Sequence, residues 1–152
     1  MPRVSYFYDN EVGSFYYGQE HPMKPFRIKM SHQLIVNYGL YRKMSCYLPH
    51  RASDAEMSAF HSPEYIQHLR TVAPLLINQQ SVDPTSSAQV APTETAATAD
   101  FKVGENDCPC FQGMFEFSQI SSGASIDAAI KLNHKSTDIA INWSGGLHHA
   151  KK

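Results

Sequence analysis

Strand formers crowd the opening of the chain in Val4-Ser5-Tyr6-Phe7-Tyr8 and stop at the turn-forming cluster Asp9-Asn10-Glu11, which predicts a first β-strand. From Gly13 to Pro25 no period holds. The stretch carries Phe15, Tyr16, Tyr17, Gly18, His21, Pro22 and Lys24, too aromatic for an idle connector and too broken by Gly and Pro for a regular element. Pro25 suits the first turn of a helix, and Ile28, Leu34, Ile35, Tyr38 and Tyr41 sustain an apolar stripe that predicts a helix to about Met44, with Gly39 inside it. Ser45-Cys46-Tyr47-Leu48-Pro49 reads as a second short strand. Ser53 and Glu56 have capping-box spacing and open another helix, and a further one is expected from Pro63 to about Val72. A helix rich in small residues is expected from Phe115 to about Leu132, and the apolar run from Asp138 to Trp143 reads as a third strand. Strands alternating with helices imply an α/β fold, a parallel sheet flanked by helices.

Composition changes this picture in one place. Between about Leu76 and Asp100 the chain turns to Ser, Thr, Ala, Pro and Gln, which offers too little apolar surface to offset the entropy of ordering it, so a disordered insert is expected at 76–100. The rest of the 152 residues, with 42% hydrophobic and 18% charged, suits one domain over 1–152. A formal net charge of −1, without a basic stripe, argues against direct DNA binding, and no apolar run is long enough to span a bilayer. The amino terminus lacks the apolar core of a secretory signal, so an intracellular protein is expected. Cys46, Cys108 and Cys110 are an odd set without metal-finger spacing; no disulfide is expected, and Cys108-Pro109-Cys110 reads as part of a loop.

The densest chemistry lies at Trp143-Ser144-Gly145-Gly146-Leu147-His148-His149, just past the third strand, where functional groups of parallel sheets gather. Side chains of adjacent strand residues point to opposite faces, but a Gly-Gly turn reaches dihedrals that allow both imidazoles to face one cavity. Acid–base work suits such a pair, because one ring can take a proton near neutral pH while its neighbour stays charged. Adjacent positions make a poor zinc chelate. His21, His32, His50, His61, His68 and His134 are scattered without ligand spacing and are expected as surface or capping residues.

Several runs occur here in the order found in one enzyme family: Tyr6-Phe7-Tyr8-Asp9, Tyr17-Gly18-Gln19-Glu20-His21-Pro22-Met23-Lys24-Pro25, Asn37-Tyr38-Gly39-Leu40-Tyr41-Arg42-Lys43-Met44, His61-Ser62-Pro63-Glu64-Tyr65, Phe115-Glu116-Phe117 and Gly145-Gly146-Leu147-His148-His149-Ala150-Lys151-Lys152. The chain resembles the amino-terminal part of class I histone deacetylases. That resemblance implies part of an arginase-deacetylase α/β fold, reaching just past the strand that carries the tandem histidines. It also implies removal of acetyl groups from lysine side chains with a zinc-activated water.

By the same resemblance His149 matches the general base, and His148 matches a partner that tunes charge around the developing oxyanion. Asp107 matches a carboxylate that holds the substrate backbone at the pocket rim, Gly145 and Gly146 shape the pocket wall, and Met23 and Arg27 line an internal channel. Lys24 matches a lysine that contacts an inositol phosphate bridging enzyme and corepressor. The implied partners are acetylated histone tails and corepressor proteins, the implied place is the nucleus and possibly also the cytoplasm, and the implied role is transcriptional repression.

The chain departs from the family pattern at four places. Gly104-Glu105-Asn106-Asp107-Cys108-Pro109 is one residue longer than the family's Gly-Glu-Asp-Cys-Pro loop; Phe26 stands for a common His; Ala124 replaces the second glycine of a usual pair; Glu20 stands for a common Gly. The family's zinc ligands and transition-state tyrosine fall beyond Lys152. The chain as given is therefore expected to be a fragment of a zinc-dependent deacetylase, inactive alone. The alternative is a non-catalytic interaction module that competes for corepressor partners.

Overall fold

The computed structural model describes residues 2–19, 21–80, 101, 103 and 108–146, with 74–80 as backbone. Strand β1 (Val4–Phe7) lies between β2 (Ser45–Tyr47) and β3 (Ile139–Asn142), parallel to both, in the order β2-β1-β3. Being paired on both edges, β1 buries Ser5, Tyr6 and Phe7, while all three residues of β2 stay exposed. Alternation along β1 sends Tyr6 and Tyr8 to one face, where His32 of helix α1 (Phe26–Asn37) stacks on Tyr8 at 3.6 Å and meets the Tyr6 hydroxyl at 3.1 Å. Phe7 and its register partners Tyr47 and Asn142 share the other face, which helix α4 (Met114–Asn133) covers. There Lys131 sits 3.9 Å over the Tyr47 ring and Ser125 bonds Asn142. One helix therefore covers each face of the sheet.

Helices α2 (Asp54–Ser58) and α3 (Pro63–Gln80) pack beside α4. Val12, Ile28, Ala73, Phe111, Met114, Phe117 and Ile120 form one buried cluster, and Ala52, Met57, Ile66 and Phe115 a second. Helix α4 contributes to both because Phe115 faces away from Met114 and Phe117, so it is the central strut of the molecule. The expected capping box is present: Ser53 Oγ accepts from Glu56 N–H at 3.3 Å, and Glu56 accepts from Ser53 N–H at 2.8 Å. Asp138 ties the start of β3 to that of β1, accepting from Arg3 N–H at 2.7 Å and from its guanidinium at 2.9 Å.

Three expectations are corrected. The helix expected to about Met44 ends at Asn37, because Gly39 takes the left-handed φ of 68° and a 3-10 turn follows over Leu40–Lys43. The helix expected to stop near Val72 runs to Gln80, so the insert expected at 76–100 has helical residues at its start; positions 81–100 lie outside the described residues. The histidines are not uniformly at the surface. His68 is buried and, among the described residues, its Nδ1 and that of His61 have no hydrogen-bond partner, while His32 is packed against two tyrosines.

Burial holds the pKa of both His32 and His68 below the usual imidazole value. The unfolded chain, with ordinary imidazoles, takes up these protons first as pH falls. Their contribution to stability is thus whole above about pH 6.5 and is lost progressively below it. The Asp138 carboxyl, held down at about 2 chiefly by the Arg3 side-chain hydrogen bond, gives a second decline only below about pH 4. Urea midpoints measured from pH 7.5 to 3 are expected to fall in these two steps; His32→Phe together with His68→Phe should remove the first, and Arg3→Ala should shrink the second, to which Glu56, held down by its Ser53 hydrogen bonds, also contributes.

Candidate active site

The chain leaves β3 through a turn pinned to α4 by one amide. Asn142 donates its Nδ2 hydrogens to the Ser121 carbonyl at 3.1 Å and to Ser125 Oγ at 3.0 Å. Its Oδ1 accepts from Ser144 N–H at 3.0 Å and from Ser144 Oγ at 2.6 Å. Ser121 Oγ closes the ring by donating to the Ser144 carbonyl at 2.7 Å. Gly145 then passes so close that a Cβ would stand 3.0 Å from Asn142 Nδ2 and 3.1 Å from Ser125 Oγ. Gly146 takes a φ of 78°, a conformation that L side chains rarely adopt. The Gly-Gly pair thus has two separate causes, close approach at Gly145 and backbone conformation at Gly146.

Both glycines open onto a cavity of about 910 Å³ between α4, the aromatic loop before α1, and helices α2 and α3. Met23 and Arg27 stand on its wall, joined by a contact of 3.4 Å from Arg27 Nη2 to Met23 Sδ. Among the described residues Arg27 makes no ion pair. Tyr17 also lines the cavity. Its ring stacks on Phe111 at 4.3 Å, and burial pushes its hydroxyl up to about 12, so it stays a neutral hydrogen-bonding group through the physiological range. The aromatic loop is therefore half packing and half cavity wall, with Phe15 edge-on to Phe117 at 5.5 Å and Tyr16 exposed.

Four of the residues singled out by sequence, Met23, Arg27, Gly145 and Gly146, meet at this one cavity. Lys24 stands apart from them: its ammonium donates to the Gly18 and Gln19 carbonyls, each at 2.7 Å, and lies 5.4 Å from the Tyr16 ring. Asp107, His148 and His149 lie outside the described residues, as does Glu20. Sequence reasoning missed Tyr17 as a wall residue and the Asn142 fork with its serines. The signal available was a polar residue ending an apolar strand opposite serines at 121 and 125, one helical turn apart. Among the described residues no three His, Cys, Asp or Glu side chains stand so that they could hold a metal ion. No helix among them is long and apolar enough to cross a membrane.

Residues 21–152 match the model of the histone deacetylase domain. The chain belongs to the histone deacetylase domain family. It is 51% identical over 150 residues to Histone deacetylase 1 of Homo sapiens and to Probable histone deacetylase 1-B of Xenopus laevis, in each case 99% of this chain and 28% of the relative. Type-1 histone deacetylase 1 of Dictyostelium discoideum is 50% identical over the same span, 27% of its own length. The chain thus spans just over a quarter of these histone deacetylases. Its three parallel strands between helices are part of the α/β architecture of the family.

Proposed function

We propose that this chain supplies one wall of the active site of a histone deacetylase that hydrolyses acetyl-lysine on histone tails, in transcriptional repression in the nucleus. The observation that carries the reading is the cavity shared by Met23, Arg27, Gly145 and Gly146, the two glycines standing just before the tandem histidines in sequence. In this reading His149 takes a proton from the attacking water and later gives one to the leaving lysine amine, while His148 balances charge on the oxyanion. Asp107 holds the substrate backbone at the rim. Arg27, a cation without a carboxylate partner among the described residues, suits an anionic product such as acetate on its way through the interior.

Zinc supplies a Lewis acid and lowers the pKa of bound water to about 7. The described residues do not form a site for it. Its ligands belong to residues outside these, and residues 1–152 by themselves are inactive. Incubated with an acetyl-lysine histone-tail peptide, the native polypeptide that carries this chain is expected to release acetate, to stop on chelation and to recover with zinc; residues 1–152 alone release none. Chelator-sensitive release by residues 1–152 alone contradicts the placing of the ligands, and no release by the folded, zinc-supplied native polypeptide contradicts the hydrolase reading.

A second reading, a non-catalytic module that competes for corepressor proteins, is favoured by one surface. Residues 21–53 contain no Asp or Glu but carry Lys24, Arg27, Lys29, Arg42, Lys43 and Arg51, and α1 leaves Phe26, Met30 and Leu34 exposed in an i, i+4 stripe that Tyr38 continues. Such a face suits an acidic, amphipathic partner segment. An inositol phosphate at Lys24 would join that contact only by drawing the ammonium away from its two carbonyls.

A further inference from the structure

The geometry points to Asn142 as a positioning residue that fixes the direction in which the chain leaves β3, and with it the placing of the tandem histidines. The inference rests on the deacetylase reading for its catalytic consequence. The anchoring of the turn as far as Gly145 follows from the hydrogen bonds. A primary amide has two donor hydrogens and an acceptor oxygen, and here all are used: two bonds to α4 through Nδ2 and two to the turn through Oδ1. The same side chain therefore holds helix and turn at once. The Ser121 bond to the Ser144 carbonyl doubles the connection, and Ser144 is buried, so water does not readily substitute for Ser144, whereas Ser125 is exposed.

Gly145 lies against this fork, so the fork and the glycine form one rigid layer, and Gly146 is the first residue free of it, with nothing within 4 Å of its notional Cβ. The polypeptide is fixed up to Gly145 and reaches His148 only three residues later. Without the Asn142 amide the turn would keep only the Ser121 Oγ bond to the Ser144 carbonyl and one long main-chain bond, Gly145 N–H to the Asn142 carbonyl at 3.4 Å. A catalytic group displaced by about 1 Å loses on the order of a hundredfold in rate, so the fork acts on turnover more than on substrate binding.

The test is Asn142→Asp in the native polypeptide. This change keeps shape and Oδ1 but turns both Nδ2 donors into an acceptor facing the Ser121 carbonyl. The expected result is a kcat lower by about 30-fold with KM within about twofold of its original value. The amides of Gly145 and Gly146 should also exchange with solvent about tenfold faster. Should this variant not fold, Ser144→Ala removes only the hydroxyl bond to Oδ1 and is expected to lower kcat about threefold with the same sign in exchange. A merely structural amide would lower the melting temperature and leave kcat and glycine exchange unchanged well below it; that outcome overturns the inference. Absence of turnover in the unsubstituted protein overturns the deacetylase reading instead, and glycine exchange then decides the fork by itself.

Discussion

Gly123→Ala is expected to lower folding stability by about 3 kcal/mol, the largest loss for alanine at any of the described glycines, and to abolish folding if the margin is slim. A Cβ at this position would stand 1.9 Å from the His50 carbonyl oxygen and 2.9 Å from Ala52 N. Neither neighbour is a side-chain tip that can swing aside. Ala52 N–H donates to the Gln119 carbonyl at 3.0 Å and its own carbonyl accepts from Gln119 Nε2 at 2.9 Å, so α4 and the segment after β2 are laced together at that spot. His50 is held as well, its main-chain N–H on Asp127 at 3.0 Å and its ring between Asp127 at 2.9 Å and Glu56 at 3.2 Å. Alanine gains about 1 kcal/mol in helix propensity over glycine, too little to offset separating α4 from that segment. The check is the denaturant midpoint of Gly123→Ala against the unsubstituted protein, with an unchanged midpoint contradicting the close approach.

The second large effect concerns turnover. His149→Ala in the native polypeptide is expected to lower kcat for acetyl-lysine hydrolysis about 10³-fold, because a positioned general base, the role proposed for His149, contributes on that order. KM should move little, since the cavity wall at Met23, Arg27 and Gly146 is untouched. His148→Ala should cost less than this, as charge balance rather than proton removal is lost. Kinetics of both variants on one acetylated peptide check the assignment, and equal losses, or a loss confined to KM, would sink the division of roles.

Much of the architecture was legible because the local signals agreed with one another. The run Val4 to Tyr8 reads as a strand and buries as the central one, and Ser53 with Glu56 forms the box that its spacing announces. The errors arose where a local device left the pattern intact. Gly39 ends α1, yet the 3-10 turn after it keeps Tyr41 near helical spacing, so the stripe reads on unbroken. The helix past Val72 was hidden because Leu76 was grouped by composition with the polar stretch that follows it.

The site was legible in pieces. Gly145-Gly146 announced an unusual turn from the residues alone, whereas Met23 and Arg27 entered only through resemblance, being distant in sequence from the glycines they face. The Asn142 fork left only a faint trace in the sequence, the serines at 121 and 125. An asparagine after an apolar run looks like an ordinary turn former, as its two bonds from Ser144 are, whereas its two partners on α4 are set by how that helix lies on the sheet, which no short window of sequence contains.

The most direct measurement of the central claim is acetate release by a chimera in which residues 1–152 replace the matching part of Histone deacetylase 1 of Homo sapiens, to which they are 51% identical over 150 residues. If this chain carries one competent wall of the active site, the chimera hydrolyses an acetyl-lysine histone peptide within about tenfold of the parent, a loss of about 1.4 kcal/mol. Its activity is lost on chelation and in His149→Ala. A folded, zinc-loaded chimera that releases no acetate contradicts the account.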